Sequence, residues 1–192
     1  QSLSSKKRKN IRRERRRVRD AGVNLCWLRG DEISEQQLSF FYTCYHQTIA
    51  EHGSFLYLNQ EFFETLCRTM PAQVRLLLAR RGERDVAAAF FICADSALYG
   101  RYWGSVEQIP DLHFEVCYYT PIEYCIEQGF PIFEAGAQGE HKLSRGLMPT
   151  ITSRVLSPVL DRFLRESPNV NVRTKAPSSR TWSSCRDPIP RT

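Results

Sequence analysis

Apolar and small residues recur every three or four positions between residues 114 and 126, the spacing that places side chains along one face of an α-helix. The glutamates of this stretch fall on the opposite face. Gly129 then supplies a residue suited to the left-handed conformation that ends a helix, and Pro131 prevents a further turn. We therefore predict a helix up to residue 128 and a short strand over 132–135. The residues of the apolar stripe are Phe114, Cys117, Tyr118, Pro121, Ile122, Cys125 and Ile126.

Two helices and several strands are predicted upstream. Ser34 and Gln37 are spaced as a capping box, which opens a helix to about residue 51, and Asn59 is placed to cap the next helix. Asp111 is a candidate N-cap for the long helix, and Pro121 in its interior predicts a kink one turn earlier. Apolar runs predict strands over 23–28, 74–79, 86–94 and 97–104, the second and third joined as a hairpin, and later a strand over 150–156 and a helix over 159–164.

The strand predicted over 97–104 carries a candidate binding face. Successive side chains of a strand point to opposite faces, so Tyr99, Arg101 and Trp103 are predicted to share one face. An arginine between two aromatic side chains is a candidate platform for a ligand. It is equally typical of a stacked structural arginine on a half-buried strand. Both interpretations of Arg101 stay open at this point.

The segment after the strand predicted over 132–135 concentrates polar side chains between glycines. Gly136 and Gly139 allow the backbone to approach a ligand closely. Carboxylate, imidazole, ammonium and guanidinium groups follow one another within a few residues, which makes this loop the first candidate for chemistry. A lysine in so polar a loop is otherwise an ordinary surface charge. The polar residues are Glu134, Gln138, Glu140, His141, Lys142 and Arg145.

No metal site is predicted. His46 and His52 are six residues apart, which matches neither a helical i,i+4 pair nor a finger pattern. His113 and Cys117 have the i,i+4 spacing, but no second pair of ligands accompanies them. We therefore expect structural roles for these side chains.

The net charge of +6 is distributed unevenly along the chain. Residues 1–19 carry +9 and residues 167–192 carry +4, which leaves −7 on residues 20–166. The basic run over 6–19 contains only two apolar residues, so we expect a connecting helix outside the core that can be deleted without loss of stability. The alternative is an arm that binds RNA, because rows of lysine and arginine neutralise phosphates.

Cysteine usage and hydropathy indicate the compartment. Seven cysteines are scattered without a CxxC pair, which is typical of a reducing compartment. No apolar run approaches the roughly 18 residues of a membrane span, and no apolar stretch follows the basic start as in a secretion signal. We expect a cytoplasmic protein with one domain over 21–166, preceded by the basic helix of residues 1–20 and followed by a disordered Pro/Ser-rich tail over 167–192.

The order of the predicted elements resembles the GNAT acyltransferase fold, so we expect a mixed α/β protein whose central, mostly antiparallel sheet is flanked by helices. Three segments, YGRYWGS, HFEVCYYTPIEYCIEQGF and IFEAGAQGEHKLSRGLMP, are similar to the C-terminal GNAT-like half of FemAB-like proteins. That family is known from peptidoglycan aminoacyl transfer and from predicted bacterial N-acyltransferases. The resemblance covers about residues 6–166.

The resemblance implies transfer of an acyl or aminoacyl group to an amine. Such a reaction needs a deprotonated amine and a stabilised tetrahedral oxyanion. On this basis we assign catalytic roles to Lys142, Glu134 and His141. Substrate binding is assigned to Arg101, Trp103, Gln138, Glu140 and Arg145.

The acyl donor stays open. Ordinary GNAT enzymes carry a glycine-rich pyrophosphate loop, expected after Gly104, but SVEQIPDLHF stands there without a glycine. Aminoacyl-tRNA is therefore as compatible as acetyl-CoA, and no covalently bound cofactor is expected. Family members carry two GNAT-like halves, so we expect that this chain lacks the N-terminal one. The alternative function is a binding module without turnover, whose basic helix docks RNA or an acidic partner.

Overall fold

The structure, a computed structural model, describes residues 3–53, 55–94, 96–136, 142 and 145–147. It confirms the mixed α/β class. The predicted strand over 150–156, the predicted helix over 159–164 and the tail over 167–192 lie outside the described residues. The helices are α1 (Ser5–Asp20), α2 (Glu35–Glu51), α3 (Gln60–Thr69), the single turn α4 (Leu112–Phe114) and α5 (Thr120–Gln128), with a π-helical segment (Glu115–Tyr119) between the last two. The strands are β1 (Val23–Arg29), β2 (Val74–Arg81), β3 (Arg84–Ala94), β4 (Ala97–Ser105) and β5 (Ile132–Glu134).

The five strands form one sheet in the order β1-β2-β3-β4-β5. The first four are antiparallel neighbours in chain order, which confirms the hairpin predicted between 74–79 and 86–94. β5 joins the far edge of the sheet parallel to β4, after the chain has crossed over through α4, the π-helical segment and α5. Parallel pairing needs such a crossover because the chain must return to the same end of the sheet.

Helices cover both faces of the sheet. α2 and α3 pack on one face, and α1, the π-helical segment and α5 pack on the other. Residues 86–93 of β3 are buried, since both faces of this strand are covered, and this explains its unbroken apolar sequence. α2 comes especially close to β4 at Gly104, where a Cβ atom would lie 2.1 Å from the carbonyl oxygen of Cys44. Glycine at this position therefore sets the distance between helix and sheet.

A β-bulge in β4 overturns the prediction that Tyr99, Arg101 and Trp103 share one face. Across the strand pair, Phe90 lies opposite Tyr102 while Phe91 lies opposite Gly100, so Arg101 is the extra residue of the bulge. One extra residue reverses the alternation of side chains beyond it. Tyr99 consequently packs with α2 and α3, whereas Trp103 packs on the side of α1 and α5.

The prediction that the basic segment lies outside the core is wrong for α1. Val18 is only 2% exposed and belongs to the apolar cluster beneath the sheet. Arg15 donates hydrogen bonds to the carboxylates of Glu115 and Glu123, at 2.9 Å and 2.7 Å for its Nη2 atom. The hydrogen bond to Glu123 makes the largest contribution to raising the pKa of Arg15, and Glu115 adds to it, against the opposing effect of burial. The helix is thus fastened to the domain by one apolar side chain and by ion pairs.

Most helix ends follow the local sequence signals. Ser34 makes the predicted capping box, and the Asn59 side chain accepts a hydrogen bond from the first turn of α3. Gly129 has φ 72° after α5, and the N–H of Phe130 donates to the carbonyl of Cys125 at 2.8 Å. These two features form the Schellman arrangement, so the predicted end of the helix is confirmed.

The start of the long helix differs from the prediction. Asp111 adopts a left-handed conformation, with φ 66°, and its side chain makes no capping hydrogen bond. Its carboxylate instead accepts a hydrogen bond from Arg17 of α1 at 3.1 Å. The turn before Pro121 is π-helical, with the N–H of Thr120 donating to the carbonyl of Glu115. A wider turn of this kind suits a position where proline has no N–H for the preceding turn.

Candidate functional site

The candidate site lies where β5 separates from β4. Their parallel pairing ends at Tyr99 and Glu134, while β4 continues to Ser105. Within the described residues, no strand pairs with that edge of β4 beyond Tyr99. The bulge at Arg101 lies at this point of separation. Among the described residues, the backbone N–H and C=O groups on this edge of β4 beyond Tyr99 have no strand partner, and they lie beside two charged side chains.

Arg101 and Glu134 form an ion pair across the point of separation. The Nη1 atom of Arg101 donates to Oε1 of Glu134 at 3.2 Å and to the carbonyl of Gly100 at 3.1 Å. The side chains are 16% and 24% exposed. The guanidinium also lies 5.1 Å from the centre of the Tyr99 ring. Its Nε atom is buried and has no hydrogen-bond partner among the described residues, and such a donor is a candidate for a ligand oxygen.

Lys142 reaches the same place from the polar loop. Its Nζ atom donates to the carbonyl of Gly136 at 2.8 Å. Burial lowers the pKa of Lys142, and the nearby Cys117 and Glu134 partly offset this by favouring the charged form. The lysine is therefore deprotonated at lower pH than an exposed lysine. A Cβ atom at Gly136 would lie 3.8 Å from Nζ, so the left-handed glycine leaves the ammonium room.

Arg145 has partners on the side of α1. Its Nη2 atom is 3.0 Å from a carboxylate oxygen of Glu14, and its Nε atom donates to the Tyr119 hydroxyl at 2.8 Å. The guanidinium lies over the Phe114 ring at 3.4 Å. With its side chain only 9% exposed, Arg145 is part of a packed cluster. Its assignment to substrate binding stays a prediction.

Trp103 is the one remaining predicted residue that the structure describes, and it does not lie at this point. Trp103 packs against the His113 ring at 4.6 Å on the opposite face of β4 from Tyr99.

Among the residues that the structure describes, no group of three potential ligands could hold a metal ion. Nor does any helix of the described part have the length and apolar character to cross a membrane. Three predicted site residues, Gln138, Glu140 and His141, lie outside the described residues.

Sequence reasoning missed Glu14 and Tyr119. Both contact Arg145, and the Tyr119 hydroxyl donates to Glu14. Burial, followed by this hydrogen bond to the carboxylate, raises the pKa of Tyr119. One signal was present, because Glu14 is the only acid within residues 6–19. A single carboxylate in a basic run indicates a specific cationic partner.

Comparison with protein families gives a match over most of the chain. The model of a family described as FemAB-like, peptidoglycan biosynthesis/recognition, matches residues 1–167. No curated protein matches the sequence.

Solved structures with a similar fold include acetyltransferases. The C-terminal domain of a putative lysylphosphatidylglycerol synthetase from Agrobacterium fabrum aligns with a TM-score of 0.53 at 12% identity, covering 76% of this chain and 46% of that one. An aminoglycoside acetyltransferase from an uncultured soil metagenomic sample, solved with sisomicin, aligns with a TM-score of 0.46 at 14% identity over 71% of this chain and 93% of that one. A ribosomal-protein-alanine N-acetyltransferase from Brucella melitensis biovar Abortus 2308 gives 0.41 at 12% identity, over 68% and 91%. The alignment with the synthetase domain shows a shared fold, and the observed sheet flanked by helices confirms the predicted mixed α/β architecture.

Proposed function

Because the chain belongs to the FemAB-like family, we propose that it takes part in the transfer of an acyl or aminoacyl group to an amine. The observation that carries this proposal is the ion pair of Arg101 with Glu134, with the Lys142 ammonium held nearby at Gly136, beside the edge of β4 that no described strand pairs with beyond Tyr99. Cationic donors and a carboxylate at one point are what acyl transfer to an amine requires.

Each group of the site has a role in the proposed reaction. The amine nitrogen attacks the carbonyl carbon of the donor, and the carbonyl oxygen becomes an oxyanion. Oε1 of Glu134 is held by Arg101, and the carboxylate accepts the proton that the amine loses. The Lys142 ammonium stabilises the oxyanion, or the phosphate of a donor, through hydrogen bonds. Collapse of the intermediate restores the carbonyl and expels the donor's leaving group, a thiolate or a ribose oxygen, which takes up the proton held by Glu134.

The edge of β4 beyond Tyr99, which no described strand pairs with, supports binding of an extended donor. Backbone N–H and C=O groups between Arg101 and Ser105 can pair with amide groups of a ligand that lies along the strand. An acyl-CoA thioester and an aminoacyl-tRNA ester both remain candidates. The buried Nε atom of Arg101, the residue at the bulge, has no hydrogen-bond partner among the described residues, so a ligand oxygen that reached it would satisfy this donor.

Replacing Lys142 by methionine tests the proposal. We expect turnover to fall about a hundredfold, because loss of one stabiliser of a developing oxyanion has an effect of this size. The unfolding free energy should stay the same or rise slightly at neutral pH, since burial disfavours the ammonium in the folded state. The measurement is transfer from radiolabelled acetyl-CoA and from aminoacyl-tRNA to a panel of primary amines.

Lys142→Arg is the matched variant. It keeps the positive charge, but its planar fork cannot reproduce the contact of Nζ with Gly136, so we expect only partial recovery of turnover. Full activity of Lys142→Met with a competent donor and acceptor would exclude the lysine from the chemistry and remove the proposed site.

A second candidate function is RNA binding by α1, favoured by a division of its cations between two faces. Arg15 and Arg17 contact acids of the domain, as described above. The outward cations Lys9, Arg12, Arg13 and Arg16 are exposed, and no ion-pair partner for them occurs in the described part of the chain. Of the two apolar side chains of the helix, Val18 packs against the domain and Ile11 is half-buried. A face without apolar residues does not suit insertion into a membrane, whereas it suits a phosphate backbone.

Neutralising this outward face tests RNA binding. We expect a variant with glutamine at residues 9, 12, 13 and 16 to lose most affinity for a single-stranded RNA and to reduce the slope of log affinity against log salt by about 3, as four phosphate contacts imply. A control variant, Arg68→Gln with Arg84→Gln, removes exposed charges from other elements and should leave the slope unchanged. An equal slope in all three proteins would exclude α1 as the RNA-binding surface.

A further inference from the structure

Arg145, three residues after Lys142, connects this part of the chain to α1. Arg145 donates to Glu14 at 3.0 Å and to the Tyr119 hydroxyl at 2.8 Å, and Tyr119 itself donates to Glu14. Each member of this triad therefore contacts the other two. Because one face of the Arg145 guanidinium is also covered by Phe114 at 3.4 Å, the side chain has little freedom to turn away.

Backbone hydrogen bonds connect this triad to Lys142. The N–H groups of Arg145 and Leu147 both donate to the carbonyl oxygen of Lys142, at 3.0 Å and 3.1 Å. Gly146 allows this tight turn with φ 87°, and Leu3 packs against it from the N-terminal side of α1. A fixed Arg145 thus fixes the backbone of Lys142 within one turn of chain.

The opposite end of Lys142 is held less firmly. Its Nζ atom makes one described hydrogen bond, to the carbonyl of Gly136 at 2.8 Å. Glu134 and Cys117 are near enough to influence its charge. The position of the ammonium relative to Glu134 therefore depends on where the turn after Lys142 is held.

We propose that Glu14 and Tyr119 are positioning residues for Lys142, and that they hold its ammonium at the β4–β5 separation by fixing Arg145. In this arrangement the only acid within the basic run of α1 has a task that its neighbours cannot perform. The helix is then part of the site's framework. The inference rests on the proposed function only in the role that it gives to the ammonium.

The test is the rate at which an amine-selective acetylating reagent modifies Lys142 in the full chain, followed by mass spectrometry of the tryptic peptides. Lys6, which is exposed, serves as the internal reference. We expect Glu14→Gln to raise the relative rate at Lys142 about tenfold, as loss of one charge-assisted hydrogen bond that resists local opening implies. Arg17→Gln is the matched control, since it removes another ion pair of α1, with Asp111, that does not touch the loop. It should leave the rate unchanged.

Tyr119→Phe provides a second, milder variant that keeps the ring. It should also raise the rate at Lys142, and the double variant with Glu14→Gln should show less than the product of the two separate effects, because both act through Arg145. With a competent donor and acceptor, Glu14→Gln should lower kcat while the KM for the donor stays the same.

The outcomes separate the two proposals. An unchanged labelling rate in both Glu14→Gln and Tyr119→Phe, or an equal increase in Arg17→Gln, would overturn the positioning role. Full activity of Lys142→Met would remove the proposed chemistry and leave the labelling result intact. A rise in the labelling rate of Lys142, tenfold in Glu14→Gln and present in Tyr119→Phe but absent from Arg17→Gln, would support the positioning role.

Discussion

Replacing Gly104 by alanine is expected to lower the free energy of unfolding by about 3 kcal/mol. The added Cβ would lie 2.1 Å from the carbonyl oxygen of Cys44 and 2.7 Å from the hydroxyl oxygen of Thr48. The nearer obstacle is backbone of α2, so the contact is relieved only if the helix moves away from β4. Such a movement also loosens the close-packed core between helix and sheet. Denaturant unfolding followed by circular dichroism measures the effect.

Gly100→Ala is the matched control on the same strand. Its Cβ would meet the carbonyl oxygen of Glu134 and the ring of Phe91 at 3.5 Å, which is ordinary van der Waals contact. We expect a change of less than about 1 kcal/mol. Equal losses in the two variants would show that the approach of α2 to β4 is not what requires Gly104.

Replacing Arg15 by methionine is also expected to cost about 3 kcal/mol of unfolding free energy, because it leaves a buried carboxylate without its cation. The side chain of Glu115 is 5% exposed and accepts hydrogen bonds from Arg15 at 2.9 and 3.1 Å. In the variant, the Thr120 hydroxyl remains as a donor to the Glu115 carboxylate, with 2.9 Å between the two oxygen atoms. Methionine keeps the aliphatic part of the side chain, so the decrease in unfolding free energy reports the contribution of the guanidinium group. Thermal and urea unfolding are the measurements.

Arg17→Met removes an ion pair from the same helix at a more exposed position. Arg17 is 54% exposed and pairs with Asp111, so we expect a loss below about 1 kcal/mol. Acid provides a second check, because hydrogen bonds from Arg15 lower the pKa of Glu123. A carboxyl group whose pKa is lowered by folding stabilises the folded protein at pH values above its pKa in the unfolded chain, about 4.3. This stability is lost as the pH falls through the pKa of the group in the folded protein. The unsubstituted protein should therefore lose more stability than Arg15→Met between about pH 5 and pH 3, and parallel curves would contradict the assignment.

Local signals in the sequence predicted the elements on which the site is built. Gly129 and Pro131 fixed the end of the long helix, because a left-handed residue followed by proline leaves the chain few alternatives. Ser34 and Asn59 identified helix starts for a similar reason. Such signals act within a few residues, so they can be read without knowledge of the fold.

Features that depend on distant residues escaped prediction. The bulge at Arg101 is defined by the register between β3 and β4, and period-two alternation cannot reveal it. The carboxylates that hold Arg15 come from about a hundred positions later in the chain, so α1 looked unpartnered as a sequence. Charge composition indicated that the basic segment needed a counterpart without showing that the domain itself supplies it.

The catalytic and binding roles named from the sequence stay predictions, and the structure shows where some of these residues lie. The structure brings Lys142, Glu134 and Arg101 together, three of the eight residues named from the sequence. The polar density of the loop and the family resemblance were sufficient for Lys142 and Glu134. The sequence predicted the wrong face for Trp103, because the bulge at Arg101 reverses the alternation of side chains along β4.

The order of the sheet also determines when the site forms as the chain folds. β1 is followed by two helices, and β2, β3 and β4 then follow one another through short turns, so the contacts of this meander close short loops. β5 meets β4 only after the crossover over residues 106–131, and closing that longer loop costs more chain entropy for a pairing of three residues. The hydrophobic centre of the sheet can thus be assembled before Glu134 arrives beside Arg101. In the kinetics of folding, we therefore expect the proposed catalytic edge to be completed after the meander of β2, β3 and β4.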